Sequence, residues 1–421
     1  MNNHRINSNN SKRQSLQTNS NTIEPTVTNS RKLAHFFYRI QAGGGQAGYL
    51  YNLHQLEQED SSFCVVFNEK IDHRNKQETD LFVKFDRLYL PRFLKAFLHY
   101  FYYYLSLVFG LNLKRDYFVK LKEYDRIVFH SVKELAQFRR SRYFHSHQQL
   151  YTMLHTPVSF SEEHCDVVST QHRTPWFYRF FLKRLSLQEI KQYELADGII
   201  VACKAATSGY FYYNENLRNR FQQLPFYELA SGLKALEIKT ERTKMRENLS
   251  IKASEKAVCF VGRYNEHKGL DIYNKLVEKI TAKHENIRFF SAGSGHLKPA
   301  GEVIENLGFR SDIADVIHAM DLIVNCNRYS YFDLLLLEAM SLGKAVLASD
   351  RGGNRCIAER TKGIQLFSIE HLDDAVDFIQ NTTSEELYQM GIENYESFQK
   401  NFSEMPFYQR HENFAVKTQE R

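Results

Sequence analysis

Nine short apolar runs, each about one strand long, constrain this chain more than any other feature. LAHFFYRI (33–40), SFCVVFN (62–68), DRIVFHS (125–131), QLYTMLHTP (149–157) and ADGIIVAC (196–203) form a first series. AVCFVG (257–262), IRFFSAG (287–293), DLIVNC (321–326) and KAVLAS (344–349) form a second. Runs that are apolar at nearly every position, and not only at alternate ones, are strands covered on both faces, as in a parallel sheet flanked by helices. Amphipathic segments such as DIYNKLVEKITAK separate them, so each half reads as a βαβ series. A series that stops and restarts predicts an α/β chain of two Rossmann-like doubly wound domains, with the polar stretch near 232–255 as the joint. The expected boundaries are 31–232 for the first domain and 233–390 for the second, with 391–421 as a C-terminal helical segment.

Residues 1–30 are rich in Asn, Ser and Thr with almost nothing apolar to bury, and are expected to be a disordered tail. They lack the apolar stretch of a secretory signal, so the expected location is the cytosol. The six cysteines (64, 165, 203, 259, 326 and 356) form no C-x-x-C pair and read as reduced core or loop residues. The formal net charge is +6. Between residues 84 and 122 eight Lys and Arg face two Asp, so this segment alone can supply the excess. Within it, FLKAFLHYFYYYLSLVFGL (93–111) is aromatic or aliphatic almost throughout. Two readings stay open: a buried helix of the first domain, or a helix lying on an acidic membrane surface with cations on the headgroups. A membrane span fits poorly, because Lys95, His99 and four tyrosines interrupt it. No RNA or DNA motif accompanies the charge, so nucleic acid is not an expected partner.

In doubly wound sheets ligands bind beyond the carboxyl ends of the strands, so the loops after these runs are where chemistry is sought. QAGGGQAGYLYNL places Gly43, Gly44 and Gly45 between a strand and a helix, where backbone amides can approach a phosphate. FVGRYNEHKGLDI places Arg263 and Lys268 on one loop, and two such cations can converge on a diphosphate. SAGSGHL leaves space beside Gly293 for a ring or a backbone hydrogen bond. NRYSYFDLLLLEAMSLG opens a helix near Asp333, so the amides of Leu334 and Leu335 are expected free, and Glu338 one turn on can accept two hydrogen bonds from a diol. No Asp-x-Asp occurs, so no metal clamp for a diphosphate has a candidate.

Taken in order, these pieces resemble the donor half of the GT-B glycosyltransferases of family 4. The resemblance rests on Gly262-Arg263, Lys268-Gly269-Leu270-Asp271, Ala292-Gly293-Ser294-Gly295, Phe332, Leu337-Glu338-Ala339-Met340 and Gly352-Gly353. Weaker landmarks fall in the first half: Gly44-Gly45, Leu154-His155-Thr156-Pro157 and Tyr193-Glu194-Leu195-Ala196-Asp197. The C-terminal residues 390–417 resemble helices that cross back to the first domain. Two departures stand out. The first glutamate of the family's pair falls on Ser330 and the glycine after phenylalanine is Asp333; the usual Pro-Asn-Gly loop reads Leu224-Pro225-Phe226-Tyr227.

The resemblance implies two domains facing a central cleft and retaining, metal-independent transfer of a sugar from a nucleotide-diphosphate sugar to a hydroxyl acceptor. It further implies a glycan or lipid-linked acceptor in envelope polysaccharide or lipopolysaccharide synthesis, with no cofactor beyond the donor substrate, and a cytoplasmic site on the inner face of the cell membrane. In this scheme Arg263 and Lys268 hold the diphosphate and Glu338 the ribose, and His155 meets the transferred sugar. Gly44, Gly45, Gly262, Gly293, Ser330, Phe332, Asp333, Leu334 and Leu335 line the donor. Ser330 keeps a second outcome open, a non-catalytic GT-B subunit that binds and does not turn over.

Overall fold

The computed structural model describes residues 32–419 except 39, 41–44, 68–88, 110–114, 173–174, 282–285 and 302. The expected tail, Gly43 and Gly44 therefore lie outside the described residues. The first domain holds β1 (Leu33–Phe36), β2 (Phe63–Val66), β3 (Arg126–Phe129), β4 (Gln149–Met153), β5 (Gly198–Val201) and β6 (Phe226–Glu228). The second holds β7 (Lys256–Val261), β8 (Ile287–Ala292), β9 (Ile304–Gly308), β10 (Leu322–Asn325), β11 (Ala345–Ser349) and β12 (Ile364–Phe367).

Each set makes one six-stranded sheet, in the order β2-β1-β3-β4-β5-β6 and β12-β11-β10-β7-β8-β9. All the paired strands run parallel, with Leu33 opposite Phe63 and Leu322 opposite Val258. Both faces of each sheet are apolar because successive side chains point to opposite sides and both sides are covered. In β3, Ile127 and Phe129 enter one core and Val128 the other; in β10, Leu322 and Val324 oppose Ile323 in the same way. The order reverses between β1 and β3 in one sheet and between β7 and β10 in the other. Those two switch points open the crevices where ligands sit in such sheets.

Helix Ser384–Asn401 starts with a reciprocal capping box between Thr383 and Glu386 and stays on the second domain. There the buried Asn394 side chain donates to the carbonyls of Lys344 (2.7 Å) and Gly363 (2.8 Å). The chain then returns through Phe402 and Ser403 to helix Glu404–Gln419, whose Phe407, Phe414 and Ala415 join the core of the first domain beside Leu33, Leu50 and Phe63.

Helix Arg92–Phe109 has two characters at once. Ala96, Tyr100 and Leu107 are buried in a cluster with Cys165, Val168, Phe181 and Leu185 of two neighbouring helices. Phe93, Leu94, Phe97 and Phe101 on its other side stay 37% to 45% exposed. The helix is thus part of the core and also presents an aromatic face. Among the described residues no helix is long and apolar enough to cross a membrane.

The cysteine reading needs one correction. Cys203, just past β5, is bonded to Cys356 on helix Gly352–Ala358, with Cα atoms 6.6 Å apart across the two domains. Partners 153 positions apart carry no spacing signature, and only domain docking brings them together. The other four cysteines are free and buried.

Candidate active site

The crevice of the second domain is built by backbone that only glycine accommodates. Gly293 sits at φ +153°, and a Cβ there would lie 1.8 Å from the Gly262 carbonyl, so the loops after β7 and β8 abut backbone to backbone. Gly269, at φ +74°, lies so close to the Cys326 carbonyl that a Cβ would stand 2.1 Å from it. This close approach sets Lys268 beside the end of β10.

Lys268 is not free. Its Nζ lies 2.7 Å from Oδ2 of Asp333, which also accepts hydrogen bonds from the amides of Asn325 (3.1 Å) and Asn327. Asp333 is the N-cap of helix Leu334–Ser341, and its Oδ1 accepts the Leu335 backbone N–H at 3.1 Å. The expectation of a free amide at Leu335 is therefore corrected: the cap carboxylate claims it, as Asp does at helix starts. Burial pushes the Asp333 carboxyl up, but the Lys268 charge and the hydrogen bonds from Lys268, Leu335 and Asn325 outweigh it and hold the group below its ordinary range. Asp333 thus already occupies the cation and one amide that were expected to hold a phosphate.

Glu338 lies one turn further along this helix, half-buried, and its carboxyl makes no hydrogen bond among the described residues. Burial and the nearby Asp333 push it up to about 7, with Lys268 pulling the other way. A carboxyl without protein partners beside this network suits a ligand that brings its own hydroxyl donors.

Ser330 and Phe332 face inward. Ser330 is buried and its Oγ lies 2.7 Å from Oδ1 of Asn354, so its hydroxyl is committed within the second domain. Phe332 is buried against Phe402, with ring centroids 5.9 Å apart, which leaves its backbone as the part that can face a donor. Arg263 is exposed on the loop after β7. Burial pushes the Glu163 carboxyl of the first domain up, while His267 and Arg263 pull it down, so this loop faces helix Phe160–His172.

In the first domain, Gly45 opens helix Gly45–Leu56 after β1, and His155 follows β4. His155 Nε2 lies 2.7 Å from Nδ1 of His130, which stands just past β3, and the Tyr49 ring packs edge-on to it at 5.1 Å. Among the described residues, none of the hydrogen bonds or ring contacts of His155 reaches the second domain. Lys268, Asp333 and Glu338 stand together, and His155 stands on the opposing domain. A cavity of about 440 Å³ also lies at the domain junction, lined by Pro157, Gly209 and Tyr212 from one side and Arg328, Ser330 and Gly352 from the other; Lys268 and Glu338 do not line it. The Asp333 carboxylate, Asn325, Asn327 and the histidines at 35, 130 and 411 are the site features that motif reading missed. The one signal, a polar residue at or just past the carboxyl end of an apolar strand, marks Asn325, Asn327 and His130 and none of the others.

Two parallel sheets with their switch-point crevices turned toward a shared cleft define the GT-B fold. Solved structures agree: sucrose-phosphate synthase of Thermosynechococcus elongatus superposes with a TM-score of 0.59 at 17% identity, covering 92% of this chain and 99% of that one. Anabaena HepE in complex with UDP gives 0.55 at 16% identity, covering 93% and 100%. Residues 255–383 match the family "Glycosyl transferases group 1", so the second domain is a group 1 glycosyltransferase domain of the family 4 type. The D-inositol 3-phosphate glycosyltransferase of Mycobacterium ulcerans is 31% identical over 126 residues, 27% of this chain and 27% of that protein. The alpha-D-kanosaminyltransferase of Streptomyces kanamyceticus is 26% identical over 166 residues, 36% and 43% respectively. The aligned stretches thus span about a quarter to two fifths of those relatives' length.

Proposed function

We propose that the chain transfers a sugar, with retention and without a metal, from a nucleotide-diphosphate sugar to a hydroxyl acceptor held against the first domain. The observation that carries this reading is that Lys268, held beside Asp333 at one switch point, stands near Glu338, whose carboxyl makes no hydrogen bond among the described residues, with Arg263 exposed on the same loop as Lys268. Glu338 accepts the ribose hydroxyls. Arg263 and Lys268 take the charge that develops on the leaving diphosphate, the kind of interaction that strengthens toward the transition state. Amides at Gly44, Gly45, Leu334 and the loops at Gly262 and Gly293 complete the donor cradle, and His155 meets the transferred sugar. HepE, which shares this fold, is solved with UDP.

The acceptor in this reading is a glycan or lipid-linked hydroxyl of envelope polysaccharide or lipopolysaccharide synthesis, reached at the inner face of the membrane. Support comes from the exposed Phe93, Phe97 and Phe101 beside Arg92 and Lys95, an aromatic and cationic face suited to acidic headgroups. A second reading has its own observation: with Lys268 claimed by Asp333 and Ser330 turned inward, a binding subunit without turnover is the competing outcome.

Calorimetric titration with nucleosides, nucleoside diphosphates and their sugars tests the donor site. Lys268→Ala is expected to weaken diphosphates about 10- to 100-fold and leave nucleosides alone, since a charge-assisted bond contributes about 1.5 to 3 kcal/mol. Equal losses for both ligand classes would mean general damage, and would overturn the assignment.

A further inference from the structure

His155 is the end of a line of four imidazoles. Its Nε2 meets His130 Nδ1 at 2.7 Å; His130 Nε2 meets His35 Nδ1 at 3.1 Å; His35 Nε2 meets His411 Nδ1 at 3.2 Å. The line finishes at Tyr49, whose phenol lies 2.7 Å from His411 Nε2. His35, His130 and His411 are buried, and they come from β1, the end of β3 and the crossover helix Glu404–Gln419. The rings form a line and not a cage: among the described residues no three His, Cys, Asp or Glu side chains are placed to share one cation.

Burial drives His35 and His155 down to about 3, and drives His130 and His411 well below their ordinary value, with neighbouring histidines adding to the shift at His35, His130 and His411. All four rings are therefore neutral near pH 7. A neutral imidazole carries one N–H and one lone pair. Because every link joins an Nε2 to an Nδ1, only two proton patterns leave no link with two protons or two lone pairs. Either all four rings carry the proton on Nδ1 and Tyr49 donates to His411, or all four carry it on Nε2 and Tyr49 accepts. The first pattern leaves His155 an Nδ1–H to offer a ligand; the second leaves it a lone pair.

The end group decides between them. Burial holds the Tyr49 phenol well above its ordinary value, so it stays protonated, and its hydrogen bond to His411 Nε2 is the one its hydroxyl makes among the described residues. A phenol whose proton has this one acceptor donates to it. We infer that Tyr49, His411, His35 and His130 are positioning residues that fix His155 as a neutral Nδ1–H donor toward the ligand in the cleft. This rests on the sugar-transfer reading for what the donor serves, though not for the tautomer itself. A sugar or acceptor oxygen, with lone pairs to offer, is the group such a donor fits. The relay also makes the cleft histidine depend on the crossover helix, since His411 reaches the line only when that helix lies on the first domain.

The test reads tautomers directly. Nitrogen NMR of the full chain with ¹⁵N-labelled histidine, assigned by His→Gln variants, is expected to show Nδ1 protonated and Nε2 bare in all four rings. Tyr49→Phe removes the donor that sets the pattern and should convert His155 wholly or partly to the Nε2–H form. Mixed tautomers in the wild type, or an unchanged His155 signal in Tyr49→Phe, would overturn the proposal whether or not the protein turns over. Where turnover is measured, Tyr49→Phe should lower kcat about tenfold, the scale of one lost hydrogen bond, with the donor KM within about twofold. Equal change in both would mean that Tyr49 acts by packing alone.

Discussion

Asp333→Asn separates two jobs that one carboxylate performs. In the folded protein Asp333 is nearly sealed, with 8% of its side chain exposed against 35% for Lys268. Removing one partner of a sealed pair costs about 3 to 5 kcal/mol, but a Lys268 ammonium free to rehydrate brings the expected loss to about 1 to 3 kcal/mol. Asparagine keeps an oxygen for the Leu335 N–H, so the helix cap survives. Because the folded-state carboxyl lies below its ordinary range, the pair's contribution is fully present above about pH 3.9, the unfolded value. It is lost as pH falls through the lower folded value, so this part of the stability gap between wild type and variant should close in stronger acid, while above pH 5 the gap also carries the relief of Glu338, which Asp333 pushes up. Ligand binding should move the other way. A diphosphate no longer competes with a carboxylate for Lys268, so affinity for nucleoside diphosphates should rise about 10-fold or more while nucleoside affinity holds, one charge-assisted bond being about 1.5 to 3 kcal/mol. Denaturant unfolding and calorimetric titration on the same preparations measure both. If the variant binds diphosphate more weakly, Asp333 orients Lys268 for the ligand and does not stand in its place, and the competition argument fails.

Three further outcomes follow from other residues. Glu338, raised to about 7, takes up a proton on folding between about pH 4.3 and 7, so charging it above that range costs stability. Glu338→Gln should unfold at a higher temperature than wild type at pH 8, yet bind nucleosides more weakly, and the wild type's nucleoside affinity should rise from pH 6 to 8 while the variant's stays flat. Closing a loop of 153 residues with Cys203–Cys356 contributes about 5 kcal/mol in the chain-entropy treatment; Cys203→Ser should unfold earlier and scatter as a more open particle, and identical melting would show that the bond does not form in solution. Reversing Arg92 and Lys95 to Glu should abolish sedimentation with acidic vesicles at low salt and leave donor binding intact; wild type that ignores such vesicles would confine helix Arg92–Phe109 to a core role.

Eight of the nine strands read from apolar runs lie inside their sheets, and the ninth, Phe63–Val66, is an edge strand whose four residues are all buried. The three that escaped reading, Phe226–Glu228, Ile304–Gly308 and Ile364–Phe367, are all edge strands, where one flank lies open and fewer apolar side chains are required. Site positions tied to backbone geometry were legible too: Gly262, Gly269 and Gly293 stand where only glycine fits, because the requirement is local. What a side chain does there was less so. Asp333 looked like a helix start offering free amides, yet its carboxylate meets a lysine 65 positions earlier. His35 and His411 are 376 positions apart, and Cys203 finds Cys356 only after the domains dock. Such contacts depend on tertiary arrangement, which short motifs do not carry.

The central claim is turnover, and the release of nucleoside diphosphate from a bound nucleotide sugar measures it most directly. Purified wild type, given a donor chosen by calorimetry and a hydroxyl acceptor or water, should release the diphosphate and leave the sugar with its original anomeric configuration by NMR. Lys268→Ala and Glu338→Ala should each lose about 100-fold or more of that rate, and Ser330→Ala, whose hydroxyl is turned to Asn354, should keep most of it. A donor that binds tightly and stays intact in every acceptor assay, with release only after another chain is added, would contradict the enzyme reading and establish the binding subunit.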